Sequence, residues 1–336
     1  MILDEILANK RREVDERRAK RPLLYPADGT GSRPYTVDPI GPGSSDPAGR
    51  GSVKRAEASG SAEVTTFAGP ETAAPAALAH ATTGRASPAT SSGPHQVGRE
   101  AAAASARPPG TGAAFVAALR QPGVSFIAEI KRSSPSGGEI RPSLSVAEIA
   151  TTYADAGAAA LSVLTDARYF GGADADLTTA QHATDLPALR KDFVVDPYQI
   201  LEARLLGASA VLLIVRALED AELRELLKLT DHCGMAALVE THSAAEVERA
   251  LGAGARVIGV NNRDLDTLVT DVSLAPRLRS LVPAECVFVA ESGISRPEDV
   301  ALLVDAGVDA VLVGEALLRA ADPGAKLREL IAAGAA

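Results

Sequence analysis

Apolar and polar residues follow two different periods along the chain, and the change from one to the other predicts its layout. Residues 2–20 place Ile2, Leu3, Ile6, Leu7 and Val14 at roughly helical spacing among charged residues, which predicts an amphipathic helix. From residue 124 onward, short apolar runs recur at 124–131, 160–165, 187–191, 209–215, 235–240, 256–261, 286–291 and 309–313. Helical spacing fills the gaps between them. The segments 145–148, 243–246 and 295–298 each have a serine three residues before a glutamate, the spacing of a capping box at a helix start. Gly157, Gly207, Gly254 and Gly307 stand just before the next apolar run, where a left-handed residue closes a helix. Continuous Val/Ile/Leu runs belong to strands covered on both faces, hence to a parallel sheet. Eight such strands alternating with helices predict an α/β fold, a (β/α)8 TIM barrel. A doubly wound open sheet is the competing layout, but no Gly-rich phosphate loop follows the first strand.

Between the first helix and the barrel the composition shifts. Residues 26–98 are dominated by Gly, Pro, Ser, Thr and Ala with almost no aliphatic periodicity. Such a segment buries too little apolar surface to offset its ordering entropy, and a disordered insertion is expected. The expected organisation is an extension helix at 1–25, the insertion at 26–98, the rest of the extension at 99–123, and the barrel at 124–336. Short helices are expected at 99–106 and 112–120.

The net charge of −9 argues against a nucleic-acid or anionic-membrane binder. The basic residues Lys10, Arg11, Arg12, Arg17 and Arg18 alternate with Glu13, Asp15 and Glu16, which reads as a solvated helix face. Cys233 and Cys286 make neither a disulfide framework nor a metal cluster and suit a reducing cytoplasm. No run of about 20 apolar residues and no secretory leader pattern is visible, so no membrane association is expected.

Barrels carry their chemistry at the C-terminal ends of the strands. There the sequence places Glu129 and Lys131, Thr165 and Asp166, 190–193, Glu240, 261–264, 291–293, and Gly314 with Glu315. Glu129 and Lys131 lie two apart on a strand and share a face. Charges on the inner face of a buried strand are costly unless paired or used. Lys131 and Lys191 with Glu129, Glu240 and Glu291 form an acid/base set, in which a lysine near another lysine is expected to hold its proton loosely. Ser292–Gly293 and Val313–Gly314 are small where a backbone must approach a ligand, and the helices that follow offer N–H groups to a phosphate. Phe193 is placed to lie against an aromatic substrate. His182, His232 and His242 fall in no triad-like order and show no metal-ligand spacing, so no metal site is expected.

The motifs in 128–136, 161–166, 169–172, 189–193, 212–215, 238–240, 259–265, 291–294 and 313–317 together resemble the indole-3-glycerol phosphate synthase family of tryptophan biosynthesis. The resemblance covers residues 1–24 and about 97–336. It implies cofactor-free closure of the pyrrole ring of 1-(2-carboxyphenylamino)-1-deoxyribulose 5-phosphate, with loss of carbon dioxide and water. It implies Lys191 as the general acid on the ribulose carbonyl and Glu240 as the base in dehydration. Lys131 would hold the substrate carboxylate and support ring closure or dehydration, and Glu129, Asn261 and Glu291 would orient these groups. Arg263 would assist at the anthranilate carboxylate. Phe170, Phe193, Leu212 and Leu265 would shape the aryl pocket. Ser134, Pro135, Ser292, Gly293, Val313, Gly314 and Glu315 would surround the phosphate end. The expected partner is a phosphorylated small molecule, met by a monomer that associates weakly at most with other enzymes of the pathway. The insertion interrupts the extension that in the family packs over the barrel mouth. Two other readings stay open on the residues alone: a Schiff-base lysine of an aldolase-type lyase, and a non-catalytic phosphate binder.

Overall fold

The computed structural model describes residues 2–26, 34–36, 111–264 and 267–335. Among them, eight parallel strands close into a barrel in chain order: β1 (Ser125–Ile130), β2 (Ala160–Leu164), β3 (Ala188–Lys191), β4 (Ala210–Ile214), β5 (Ala236–Thr241), β6 (Val257–Asn261), β7 (Val287–Glu291) and β8 (Ala310–Val313). Closure between β8 and β1 runs through Ala310↔Ser125 to Val313↔Ala128. The TIM-barrel expectation holds and the open-sheet alternative falls, with each strand within a residue or two of its expected place. The helices are α1 (Ile2–Lys20), α2 (Gly112–Leu119), α3 (Val146–Asp155), α4 (Ala167–Phe170), α5 (Asp174–Ala183), α6 (Pro197–Leu205), α7 (Asp220–His232), α8 (Ala244–Ala253), α9 (Leu274–Leu278), α10 (Pro297–Asp305), α11 (Glu315–Arg319) and α12 (Pro323–Gly334).

The two-residue period of a strand sorts the core into two bodies. Phe126, Ala128, Ile130, Leu161, Val163, Val211 and Leu213 face outward and pack under the helices. Ile127, Leu189, Leu212, Leu238, Val257, Val289 and Leu312 face inward and fill the lumen. Small residues at the strand starts, Ala160, Ala210 and Ala310, leave room at the bottom for Phe115 and Leu119 of α2, both fully buried there. Gly112 is required at the start of α2, because a Cβ there would run into the backbone of Met235 and Ala236.

Helix punctuation follows the sequence signals closely. Ser145 and Ser243 cap α3 and α8. Gly157, Gly207, Gly254 and Gly307 all take left-handed φ. The box expected at 295–298 is shifted by one residue. Arg296 is the N-cap of α10, and Asp299, not Glu298, accepts the Ser295 and Arg296 N–H groups at 3.0 and 2.9 Å. A carboxylate one methylene shorter reaches back from the third helical position as well as a glutamate does.

The extension departs most from expectation. Helix α1 spans 2–20 as expected, and Arg11 and Arg12 are exposed, but Lys10, Arg17 and Arg18 are not part of a solvated face. Lys10 is 2% exposed and lies 2.8 Å from both Asp166 and Asp192. Arg17 reaches Glu202 at 3.1 Å and Arg18 reaches Asp196 at 2.5 Å. Within the stretch expected to lack structure, Pro34–Thr36 pair antiparallel with Leu24–Pro26. The rest of the insertion, like the helix expected at 99–106, falls outside the described residues.

Candidate active site

The last inward position of each strand decides what the barrel mouth contains. By alternation, Glu129, Lys191, Glu240, Asn261 and Glu291 point into the lumen above the aliphatic layers, and Lys131 follows one step higher. All six line one cavity of about 450 Å³ at the C-terminal end of the barrel. Two glycines make room for the carboxylates. A Cβ at Gly259 on β6 would run into Glu291 Oε1, and one at Gly314 after β8 would run into Glu129.

Charge pairing is tight. Lys131 Nζ lies 2.5 Å from Glu129 Oε1. Lys191 Nζ lies 3.3 Å from Glu240 Oε2 and 3.5 Å from Glu291 Oε2. Asn261 Nδ2 donates to Glu240 Oε1 at 3.1 Å, and its own Oδ1 accepts the Arg263 N–H at 3.0 Å. The expectation of a loosely held lysine proton is therefore overturned for Lys191. Burial alone would lower its pKa, but Glu240, Glu291 and Glu129 outweigh burial and hold it above the ordinary lysine value. Each lysine faces carboxylates rather than the other lysine.

The carboxylates divide. Burial pushes against ionisation of Glu240, yet Lys191, His242 and Asn261 hold it well below the usual range. Glu129 is likewise held down, by Lys131 and Lys191 against the cost of burial. Glu291 goes the other way. Burial and the neighbouring Glu240 charge push it up to about 8, and its Oε1 is buried with no hydrogen-bond partner. Three carboxylates around one buried lysine cannot all ionise freely, and the one without a second cation keeps its proton.

One wall is aromatic and aliphatic: Phe170 and Phe193 sit with ring centroids 6.1 Å apart, tilted 40°, near Leu212. The opposite wall holds small residues and backbone. Ser292 and Gly293 take consecutive left-handed conformations at φ 66° and 80°. Asn262 Nδ2 donates to the Ser292 carbonyl at 3.1 Å and holds that turn. Val313, Gly314 and Glu315 complete the wall, with Ser134 and Pro135 from the loop after β1. Ser134 Oγ accepts the Gly137 N–H at 3.0 Å. Arg263 spans this end, donating to Ser136 Oγ at 2.7 Å and lying 3.8 Å from Glu315. The structure thus brings together every expected site residue except Leu265, which falls outside the described residues.

Other expected rim residues are committed to ion pairs behind the rim, although Asp192 also borders the cavity. Arg190, the inner neighbour of Lys191, points outward and is fully buried, donating to Asp174 and Glu202 at 2.7 Å and to the Gln199 carbonyl at 3.1 Å. Asp166 and Asp192 serve Lys10 of α1. Conversely, the cavity includes residues that sequence reasoning missed: Ile2, Leu3 and Ile6 from α1, Ile214, Leu268, Leu312 and Arg319. Ile214 and Leu312 follow from strand alternation alone, whereas the α1 contacts carry no local signal.

Among the described residues, no group of three or more His, Cys, Asp or Glu is arranged to hold a metal, and no helix is long and apolar enough to cross a membrane. Residues 94–330 match the family model described as indole-3-glycerol phosphate synthase. The indole-3-glycerol phosphate synthase of Mycobacterium ulcerans is 49% identical over 235 residues, 70% of this chain and 85% of that protein. Indole-3-glycerol phosphate synthase 2 of Streptomyces coelicolor is 54% identical over 217 residues, 65% of this chain and 84% of that protein. The synthase of Carboxydothermus hydrogenoformans is 51% identical over 210 residues, 62% and 80% of the respective chains.

Proposed function

The chain belongs to the indole-3-glycerol phosphate synthase family, and from that premise we propose that Lys191, Glu240 and Lys131 divide the acid–base work of ring closure. The reaction is the family's: 1-(2-carboxyphenylamino)-1-deoxyribulose 5-phosphate closes to indole-3-glycerol phosphate with loss of carbon dioxide and water, a step of tryptophan biosynthesis. The enzyme is a carboxy-lyase acting on a phosphorylated small molecule.

In this reading the aryl ring rests on the wall of Phe170, Phe193 and Leu212. The phosphate lies against Ser292–Gly293 and Gly314–Glu315, where the backbone is bare. Lys131 and Arg263 take the aryl carboxylate. That arrangement puts the ribulose carbonyl over Lys191. As the carboxylate-bearing aryl carbon bonds to the carbonyl carbon, negative charge develops on the carbonyl oxygen and Lys191 protonates it. The raised pKa of Lys191 does not oppose this, because an alkoxide is a stronger base than an amine. Loss of carbon dioxide restores the aromatic ring. Lys131 then protonates the new hydroxyl so that it departs as water, and Glu240, held ionised, takes the proton lost by the adjacent ring carbon as the double bond forms. Glu291 holds a proton at neutral pH and lies 3.5 Å from Lys191. It is placed to reprotonate the lysine once the first transfer is done.

The observation that carries the reading is the position of Lys191 Nζ between Glu240 and Glu291 at 3.3 and 3.5 Å. A Schiff-base lysine needs a neutral amine, and this one is held charged. Borohydride added during turnover is expected to leave the protein unmodified and active. A reduced adduct on Lys191 in the mass spectrum would replace the acid role with covalent catalysis. Both cysteines are free and buried, which suits a reducing cytoplasm. The protein is read as a monomer, to be checked by light scattering at working concentration.

A further inference from the structure

Beside Glu240 lies a buried histidine that the acid–base assignment does not use. His242 follows the last residue of β5, and its side chain is 7% exposed. Nδ1 lies 3.2 Å from Glu246 Oε2, and the same oxygen accepts the His242 backbone N–H at 2.8 Å. Glu246 is in turn fixed in the first turn of α8, its N–H donating to Ser243 Oγ at 3.2 Å. The carboxylate therefore dictates that Nδ1 carries a proton. Nε2 is turned toward the barrel mouth, 3.4 Å from Glu240 Oε1, an ion-pair distance without the alignment of a hydrogen bond.

Glu240 thus sits between two cations, with Lys191 on Oε2 and His242 on Oε1, where Asn261 also donates. Other charged groups on the neighbouring elements include Glu291 across the mouth, Arg216 on the turn Val215–Ala217 after β4, and Glu248 and Arg249 on α8, of which Arg249 is tied to Asp220. Burial disfavours a charged imidazole here, but Glu240 and Glu246 outweigh it and push His242 up to about 10.

We propose that His242 is a positioning residue for Glu240: gripped by Glu246, it stands as an imidazolium that fixes the carboxylate's orientation and keeps it ionised opposite Lys191. This rests on the reading of Glu240 as the base. The arrangement has a functional logic. Glu291, also beside Lys191, is pushed up and keeps its proton, whereas Glu240 has a second cation and loses it. His242, with the Asn261 amide that donates to Glu240 alone, makes the two carboxylates unlike.

His242→Ala is expected to lower kcat roughly tenfold with KM nearly unchanged, because a misaligned base costs turnover and not binding. His242→Asn, which restores an N–H but no charge, is expected to recover only part of the loss. Glu246→Gln is expected to shift kcat in the same direction, and the double variant to lose less than the two single effects combined. A merely structural histidine would lower the melting temperature and leave kcat of the folded protein unchanged. Independently of any variant, NMR of the histidine-labelled wild-type enzyme is expected to show His242 doubly protonated through pH ~8. Titration near the free-histidine value would overturn the inference, as would His242→Ala with wild-type kcat. Glu240→Gln separates the two claims. If it loses turnover while His242→Ala does not, only the inference fails. If Glu240→Gln turns over normally, the underlying assignment fails with it.

Discussion

Replacing Lys10 by methionine keeps the stem of the side chain and removes a cation that is 2% exposed. Two buried carboxylates lose this cation: Asp166 and Asp192, each 2.8 Å from Nζ. Removing one member of a buried ion pair costs about 3–5 kcal/mol, because the remaining charge is left desolvated. Remaining contacts soften that cost. Asp192 keeps the buried Arg190 guanidinium 3.5 Å away and still accepts from Thr165 Oγ1 at 2.9 Å and the Phe193 N–H at 2.8 Å, and Asp166 still accepts from the Tyr169 N–H at 2.8 Å. The expected loss is therefore near the lower end, about 3 kcal/mol. At about 2–4 °C per kcal/mol for a domain of this size, the melting temperature falls by roughly 6–12 °C if α1 stays docked. The carboxylates can instead recover water by releasing α1, which caps the loss at the docking free energy of that helix. Release has its own signature. Ile2, Leu3 and Ile6 line the substrate cavity, so KM rises, and trypsin cuts among the freed basic residues of α1. Thermal melts, trypsin digestion and steady-state kinetics on one preparation distinguish the two routes. Adding Asp166→Asn and Asp192→Asn to the methionine variant is expected to recover most of the loss. A Lys10→Met protein with wild-type melting temperature, protease pattern and KM would refute the idea that this buried pair fastens the helix.

Three further outcomes follow from the same geometry. The pKa of Glu291 is raised on folding to about 8. The unfolded chain therefore ionises first, and stability is lost as pH climbs from the free-carboxyl value toward the folded one. Glu291→Gln should then gain melting temperature relative to wild type as pH rises from about 4 toward 7, while losing activity; a difference that does not change between those pH values contradicts the shift. Gly314→Ala places a methyl against Glu129 at a position of negative φ, so kcat is expected to drop roughly tenfold or more with the fold intact; unchanged kcat would show that Glu129 has room to move. Excising residues 37–98 is expected to leave a folded enzyme with kcat within about twofold of wild type, since every candidate catalytic side chain lies between residues 129 and 291 and changing the length of a long connection costs little closure entropy; insoluble protein or lost turnover would contradict this.

The barrel and its polar mouth were legible because a strand's two-residue period fixes direction as well as position. Glu129 and Lys131, Lys191, Glu240, Asn261 and Glu291 all stand at inward positions near strand ends, and alternation alone sends them to one rim. The same rule would have sent Arg190 away from the rim, as the structure shows it. What alternation cannot show is which charges meet. Lys10 reads as one of three consecutive basic residues on a charged helix, and its burial depends on α1 docking onto loops more than 150 residues away. The firm hold on the Lys191 proton depends on carboxylates from β1, β5 and β7 converging on it. His242 looked isolated because its partners, Glu240 and Glu246, are a strand end and a helix cap brought together by the turn between them. The Ser295–Glu298 box missed by one residue because Asp299 competes for the same backbone donors.

Turnover of 1-(2-carboxyphenylamino)-1-deoxyribulose 5-phosphate, followed by the fluorescence of the indole product, tests the acid–base assignment most directly when wild type is compared with Lys191→Met and Glu240→Gln. Wild type is expected to turn over, and each variant to lose about 10²–10⁴-fold in kcat, the range a positioned acid or base contributes, with circular dichroism and melting showing an intact barrel. Near-normal kcat in either folded variant would contradict the role assigned to that residue.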